Sequence, residues 1–251
     1  MKGMLWLFYK ELMRFWKVGF QTMLAPVMTA LLYLLVFSHV LEDRLQVFEN
    51  VPYTSFLIPG LMMMSMIQNA FANSSSSIIQ SKVTGNLVFV LITPLSYFEL
   101  YCAYVGAAIV RGVAVGAGVF LVAVLYVDLP VYNLWLVLLF AMLASGVQGA
   151  LGVIAGIWAE KYDQLAAFQN FVIMPLSFLS GVFYSIRSLP EVWQELSKFN
   201  PFFYMIDGFR YGFFGQSDMP VAASLALSAA LFAALSAWAL LLLHRGYKLR
   251  Q

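Results

Sequence analysis

The chain has 251 residues, 62% of them hydrophobic and 10% charged, with a mean hydropathy of +0.83. A soluble domain carries about 25% charged residues, so most of this surface is unsuited to water. The net charge of +2 points to no class of partner, nucleic acid included, and a single cysteine, Cys102, excludes an intrachain disulfide and a cysteine-built zinc site.

Residues 1–19 are too charged to cross a bilayer. Leu5, Phe8, Leu12 and Phe15 recur at helical spacing, with Lys10, Arg14 and Lys17 on another face. The spacing predicts an amphipathic helix in the headgroup layer, its cations toward anionic lipid. A charged flank that only fixes topology is the alternative. Six apolar stretches then follow, at 20–41, 53–73, 102–127, 134–159, 168–186 and 221–244. Each is near the roughly 20 residues a spanning helix needs. Runs such as 30–37 and 134–143 do not alternate as barrel strands would, so helices are expected. The first stretch is longer than a signal-peptide core and is read as a retained span.

Lys and Arg set the orientation. With both termini cytoplasmic, that side collects Lys2, Lys10, Arg14, Lys17, Lys82, Lys161, Arg245, Lys248 and Arg250. The outer side keeps Arg44, Arg187, Lys198 and Arg210, the first of them in a charged loop at 39–52 that carries no motif.

The second stretch holds Pro59-Gly60 and Met62, Met63, Met64 and Met66, which suit a path for greasy cargo or ordinary packing. The inner linker at 74–98 opens on four serines, Ser74 to Ser77, and continues to Thr93-Pro94-Leu95-Ser96. It predicts a short helix lying on the inner surface, ended by Gly85-Asn86 and again before Pro94; it is a partner surface or a membrane-skimming connector. Arg111 stands within the third stretch, where a charge must be paired, face other helices or snorkel. Gly112 and Gly116, then Gly152 and Gly156, give two close-packing faces, expected to pack within the chain.

The outer segment 185–218 begins with Ser188-Leu189-Pro190-Glu191, a capping-box pattern. Val192, Leu196 and Phe199 give that helix one apolar face, and Asn200-Pro201 stops it. A second helix would carry Asp207 and Arg210 as an ion pair three residues apart. Two helices too short to cross predict a re-entrant hairpin, or else a cap resting on lipid.

No GxxxxGK[ST] loop and no HExxH occurs, and His39 and His244 fall near opposite membrane faces. No acid lies mid-span to couple protons or ions; Glu99 and Asp207 are at span edges. An energy source on another chain is expected; an ATPase-independent small carrier or channel is the alternative.

Three motifs carry a resemblance. Leu91-Ile92-Thr93-Pro94-Leu95-Ser96 is similar to the inner-loop pattern of the ABC-2 type transporter permeases. Leu179-Ser180-Gly181-Val182-Phe183-Tyr184, followed by Ser188-Leu189-Pro190, resembles their fifth span, and the run from Asn200-Pro201 through Asp207 to Arg210-Tyr211-Gly212 resembles their outer hairpin. The resemblance covers essentially the whole chain. It implies a single domain at 1–251, an all-α integral membrane protein with six transmembrane helices. It implies an interfacial helix at 1–19, a coupling-helix linker at 75–97 and a re-entrant hairpin at 186–220. It further implies a homodimer of this chain with two copies of a separate ATPase that binds the ATP and magnesium. This chain would hold no cofactor or metal and would not be an enzyme, and the assembly would be an exporter in a bacterial inner membrane. Lys82, Val83, Thr84, Gly85 and Asn86 would couple to the ATPase, with Glu160 and Lys161 as a smaller contact. Many relatives carry acids just after the glycine, where this chain has Leu87-Val88-Phe89-Val90, so its ATPase contact would be more apolar or be shifted toward the N-terminal helix. Cargo, a lipid, lipid-linked glycan or amphipathic compound, would meet Met62, Met66, Asn69, Phe178 and Phe183.

Overall fold

The computed structural model describes residues 2–41 and 51–248, with the side chains of 2 and 38–41 outside that description. The charged loop at 42–50, with Arg44, and the tail with Arg250 lie outside the described residues.

The described residues are helical, with 11 α-helices joined by short turns. Helix α1 (Lys2–Lys17) leads into α2 (Gly19–Leu41), and α3 spans Tyr53–Val83. A short α4 (Leu87–Leu91) precedes α5 (Tyr97–Ala123) and α6 (Leu134–Trp158). Then come α7 (Tyr162–Phe168), a π-helical turn (Gln169–Ile173) and α8 (Met174–Phe178). A 3₁₀ turn (Ile186–Ser188), α9 (Glu191–Lys198), α10 (Pro201–Phe214) and α11 (Val221–Arg245) complete the chain.

Among the described residues five helices, α2, α3, α5, α6 and α11, are long and apolar enough to cross a membrane, rather than the six expected. The fifth stretch is divided. Pro175 has no N–H to donate, and its ring displaces the carbonyl four residues earlier; the π turn lies where that mismatch is absorbed. Gly181, at φ +77°, then turns the chain. The run from Tyr162 to Phe178 is only about 25 Å long, against about 30 Å of hydrocarbon.

Helices α3 and α6 form the centre: 78% of the α3 window is buried and 72% of α6, against 11% for α2 and α11, which leaves the last two to face lipid. Small residues bring the centre together. A Cβ at Gly152 would lie 2.6 Å from the Phe71 carbonyl, and one at Gly156 2.9 Å from Ile78 Cβ. The glycine faces therefore pack within the chain, Gly152 and Gly156 against the serine run, Gly112 against Ser145 and Gly116 against Met66. The serine run is not a free linker: α3 continues through it, with Ser75 and Ser81 donating to the carbonyls of Phe71 and Ser77. The separate surface helix expected before Gly85 is the last turns of α3, and only α4 stands apart after Gly85, whose φ of +72° caps the helix.

One further expectation changes. Helix α9 begins at Pro190 without a side-chain cap, and Ser188 Oγ donates instead to the Ser185 carbonyl. The reciprocal capping box is at Ser96 and Glu99, opening α5. Helix α1 turns Leu7, Glu11 and Phe15 inward and leaves Leu5, Trp6, Tyr9 and Trp16 exposed. The buried carboxylate of Glu11 helps fix that rotation, because Ser77 of α3 donates to it.

Candidate functional site

The bundle has two ends. At the linker end, the turn after α3, the turn after α6 and the end of α11 meet. Lys82 donates to the carbonyls of Ile157 and, at 3.0 Å, Ala159, closing the C-terminus of α6 with a cation. Lys248 reaches Glu160 at 2.7 Å and the Trp158 carbonyl at 3.4 Å. Its ammonium holds the Glu160 carboxyl below its ordinary pKa, and the same hydrogen bond raises that of Lys248. Lys82, Val83, Gly85, Leu87, Val88, Glu160 and Lys248 line a shared cleft of about 200 Å³. Of the residues expected as two separate contacts, Lys82, Val83, Gly85 and Glu160 thus share one cleft, while Thr84 and Asn86 line the groove beside it and Lys161 lines neither.

Beside it lies a groove of about 1010 Å³ between α1 and the segment from Ser77 to Leu95. Lys10, Arg14 and Lys17 supply cations to it, and Gln80, Ser81, Thr84, Asn86 and Thr93 supply neutral polar groups. Its surroundings expose large apolar side chains, with Val83 at 57%, Phe89 at 66% and Ile92 at 72%.

Under the groove sits a cluster that sequence reasoning missed. Glu11 is fully buried. It accepts from Ser77 Oγ at 2.8 Å and pairs with Arg14 Nε at 3.1 Å and Lys10 at 3.3 Å. Arg14 also donates to Ser76 Oγ at 3.0 Å and to the Asn73 carbonyl at 2.6 Å. Arg111, the unexplained charge of the third stretch, donates to Asn69 Oδ1 at 3.2 Å and Asn73 Oδ1 at 3.5 Å. The available signal was Glu11 itself, an acid on the stripe of Leu7 and Arg14 four and three residues away.

The expected cargo residues divide. Asn69 and Phe178 line a cavity of about 580 Å³ between α2, α3 and α8, together with Gln21, Thr22, Thr29, Tyr33, Ser65 and Gln68. Met62 and Met66 turn away from it, toward Gly116 and an apolar pocket of about 150 Å³ between α5, α6 and α10. Phe183 stacks on Phe178 and packs against Tyr33 and Phe37.

At the hairpin end, Asn200 caps α10 through the Phe202 N–H and donates to the Leu176 carbonyl at 2.6 Å, with Pro201 at the first helical position. Asp207 and Arg210 do not form the expected direct ion pair. Asp207 accepts from the backbone N–H groups of Asp218 and Met219 at 2.7 and 3.1 Å. Arg210 donates to the Gly181 carbonyl at 2.9 Å and lies 3.8 Å over the Phe56 ring. One turn of helix aims the two side chains at different loops.

Comparison with known proteins decides the family. The description "ABC-2 type transporter" matches residues 3–214. The chain belongs to the ABC-2 type transporter family. Inner membrane transport permease YadH of Escherichia coli K12 is 35% identical over 241 residues, 95% of this chain and 94% of that protein. Nodulation protein J of Rhizobium leguminosarum bv. viciae is 27% identical over 173 residues, 67% and 65% of the two chains. Its counterpart in Rhizobium meliloti is 24% identical over 199 residues. As an ABC-2 family permease with five spanning-length apolar helices, the chain is a multi-pass inner-membrane transport protein.

Proposed function

We propose that this chain is the permease subunit of an ATP-driven exporter: two copies in the membrane with two copies of a separate ATPase that binds ATP and magnesium. Both termini face the cytoplasm, and the linker end is the ATPase side. The observation that carries this reading is the convergence of Lys82, Val83, Gly85 and Glu160 on one cleft beside the large groove under α1. A groove with three cations and a rim of exposed Val83, Phe89 and Ile92 suits a partner surface that is both acidic and apolar.

The α7–α8 run makes the sixth crossing with help from the turn that follows it, and α9 with α10 dips back from the outer face as a re-entrant hairpin. The position of Asn200 against Leu176 supports that dip, because the tip of the hairpin lies level with α8. Cargo uses the cavity between α2, α3 and α8. Its wall offers amides and hydroxyls with no charge, beside Tyr33 and Phe178. That chemistry suits the hydroxyl-bearing head of a lipid, a lipid-linked glycan or an amphipathic compound. A cargo is driven only if it interacts differently with the states that ATP favours.

The test is purification of the tagged chain from its native membrane, with mass spectrometry of what accompanies it. A stoichiometric Walker-type ATPase is expected. A chain that transports alone in vesicles, with no ATPase captured even after cross-linking, would replace this reading with an uncoupled carrier. Val83→Asp is the sharper mutational probe of docking than Gly85→Asp, since Gly85 at φ +72° penalises any side chain whatever its charge.

A further inference from the structure

The cluster under α1 links the two functional regions by direct contacts. Arg14 lines the linker-end groove, and Asn69 lines the cavity between α2, α3 and α8. Between them the contacts are continuous: Arg14 Nη2 to Asn73 Oδ1 at 3.3 Å, Arg111 Nη1 to the same oxygen at 3.5 Å, and Arg111 Nη2 to Asn69 Oδ1 at 3.2 Å. We propose that Arg111 is the positioning residue of a switch that couples the groove under α1 to the amide of Asn69 in the cavity wall.

Three observations favour an exchange of partners at this joint over a static brace. Two guanidinium groups share one carbonyl oxygen, and both contacts are long for a charge-assisted hydrogen bond. Arg111 Nε and Asn73 Nδ2 are buried with no acceptor, so the cluster holds more donors than it can satisfy in this arrangement. The nearby charges are also uneven. Among the described residues Glu11 is the only carboxylate that pairs with the cluster's cations, and it serves Lys10 and Arg14, not Arg111.

A movement of α1 that withdraws Arg14 from Asn73 frees Oδ1 for Arg111. Arg111 then closes on Asn73 and relaxes its hold on Asn69. In the present arrangement Arg111 occupies Asn69 Oδ1 while Asn69 Nδ2 donates to the Ser65 carbonyl, so neither end of that amide is committed to cargo. Release changes which groups the cavity presents. The coupling needs no rearrangement of the α3–α6 centre, only an exchange of partners between two discrete pairings.

This inference rests on the ATP-driven reading, and the experiment separates the two. The whole complex, with its co-purified ATPase, is prepared in vesicles of native lipid, with C102A removing the natural thiol and T29C placing one on the cavity wall. The rate of maleimide labelling is compared in ADP and in ATP with vanadate. In the otherwise unchanged complex the rates should differ by about tenfold, the scale of a typical coupling free energy. No difference there overturns the ATP-driven reading, and this inference with it. With R111Q added, the ATPase should stay bound while the labelling difference collapses. R111K, which keeps the charge but not the fork, should restore part of it. N69S, on the far side of the joint, should act like R111Q if that variant fails to accumulate. R14Q combined with R111Q should cost no more than either alone. A full nucleotide-dependent difference in R111Q or N69S, or additive losses in the double variant, overturns the switch.

Discussion

The two ends of the bundle spend their charges differently. At the hairpin end Asp207, Arg210 and Asp218 are turned on the chain itself. Asp207 holds two backbone N–H groups after α10, Arg210 holds the carbonyl of Gly181, and Asp218 takes the Ser185 hydroxyl and the Ile186 N–H. At the linker end Lys10, Lys17, Glu160 and Lys248 border open grooves, and the apolar side chains between them are exposed. A buried charge tied to backbone fixes a loop, whereas a charge at the edge of an open groove is left accessible. The same residue types therefore predict opposite consequences on substitution.

The strongest challenge to this contrast is Arg210→Met. It leaves the Gly181 carbonyl without its donor and removes the cation over Phe56. The expected loss is about 2–4 kcal/mol, from a buried carbonyl left unsatisfied together with the lost cation over Phe56, read as a drop in thermal stability in detergent. Near-normal stability would mean that the hairpin end is not held by its charges. A step smaller is Gly152→Leu, which forces a side chain against the backbone of α3 at Phe71. A cost of about 1–3 kcal/mol is expected from overpacking, with the thermal midpoint as the readout. Because Gly152 belongs to the common centre, this change should weaken both ends alike.

Ser96→Ala removes one half of the capping box at the start of α5. It should cost about 1 kcal/mol and accelerate amide exchange in the first turn of that helix only. The smallest effect on the fold is Val83→Asp, within about 0.5 kcal/mol because Val83 is exposed, yet it should abolish recovery of the ATPase. Normal ATPase recovery from a stable V83D chain would move the docking surface away from the end of α3. In that case the groove under α1 would have to carry the contact alone.

Much of the membrane layout was legible from composition, because a stretch of about 20 apolar residues has one stable way to satisfy its backbone in lipid. Five of the six stretches correspond to long helices, and α3 exceeds its forecast by continuing through the serines. The fifth was misread because hydropathy is blind to Pro175 and to the turn at Gly181, which divide an apolar run without changing its polarity. Composition was equally blind to the inward face of α1, where a carboxylate, Glu11, is the most buried group because Ser77 of α3 awaits it.

The sequence by itself determined the helical class, the positions of the apolar stretches, the two glycine faces and the family, since these depend on local composition and spacing. Only the tertiary structure decided that Lys82 and Glu160 share one cleft, that Met62 and Met66 turn from the cavity holding Asn69, and that Asp207 and Arg210 part company. Those outcomes depend on which helix faces meet, and a helix carries the same residues on its surface whichever way it is turned.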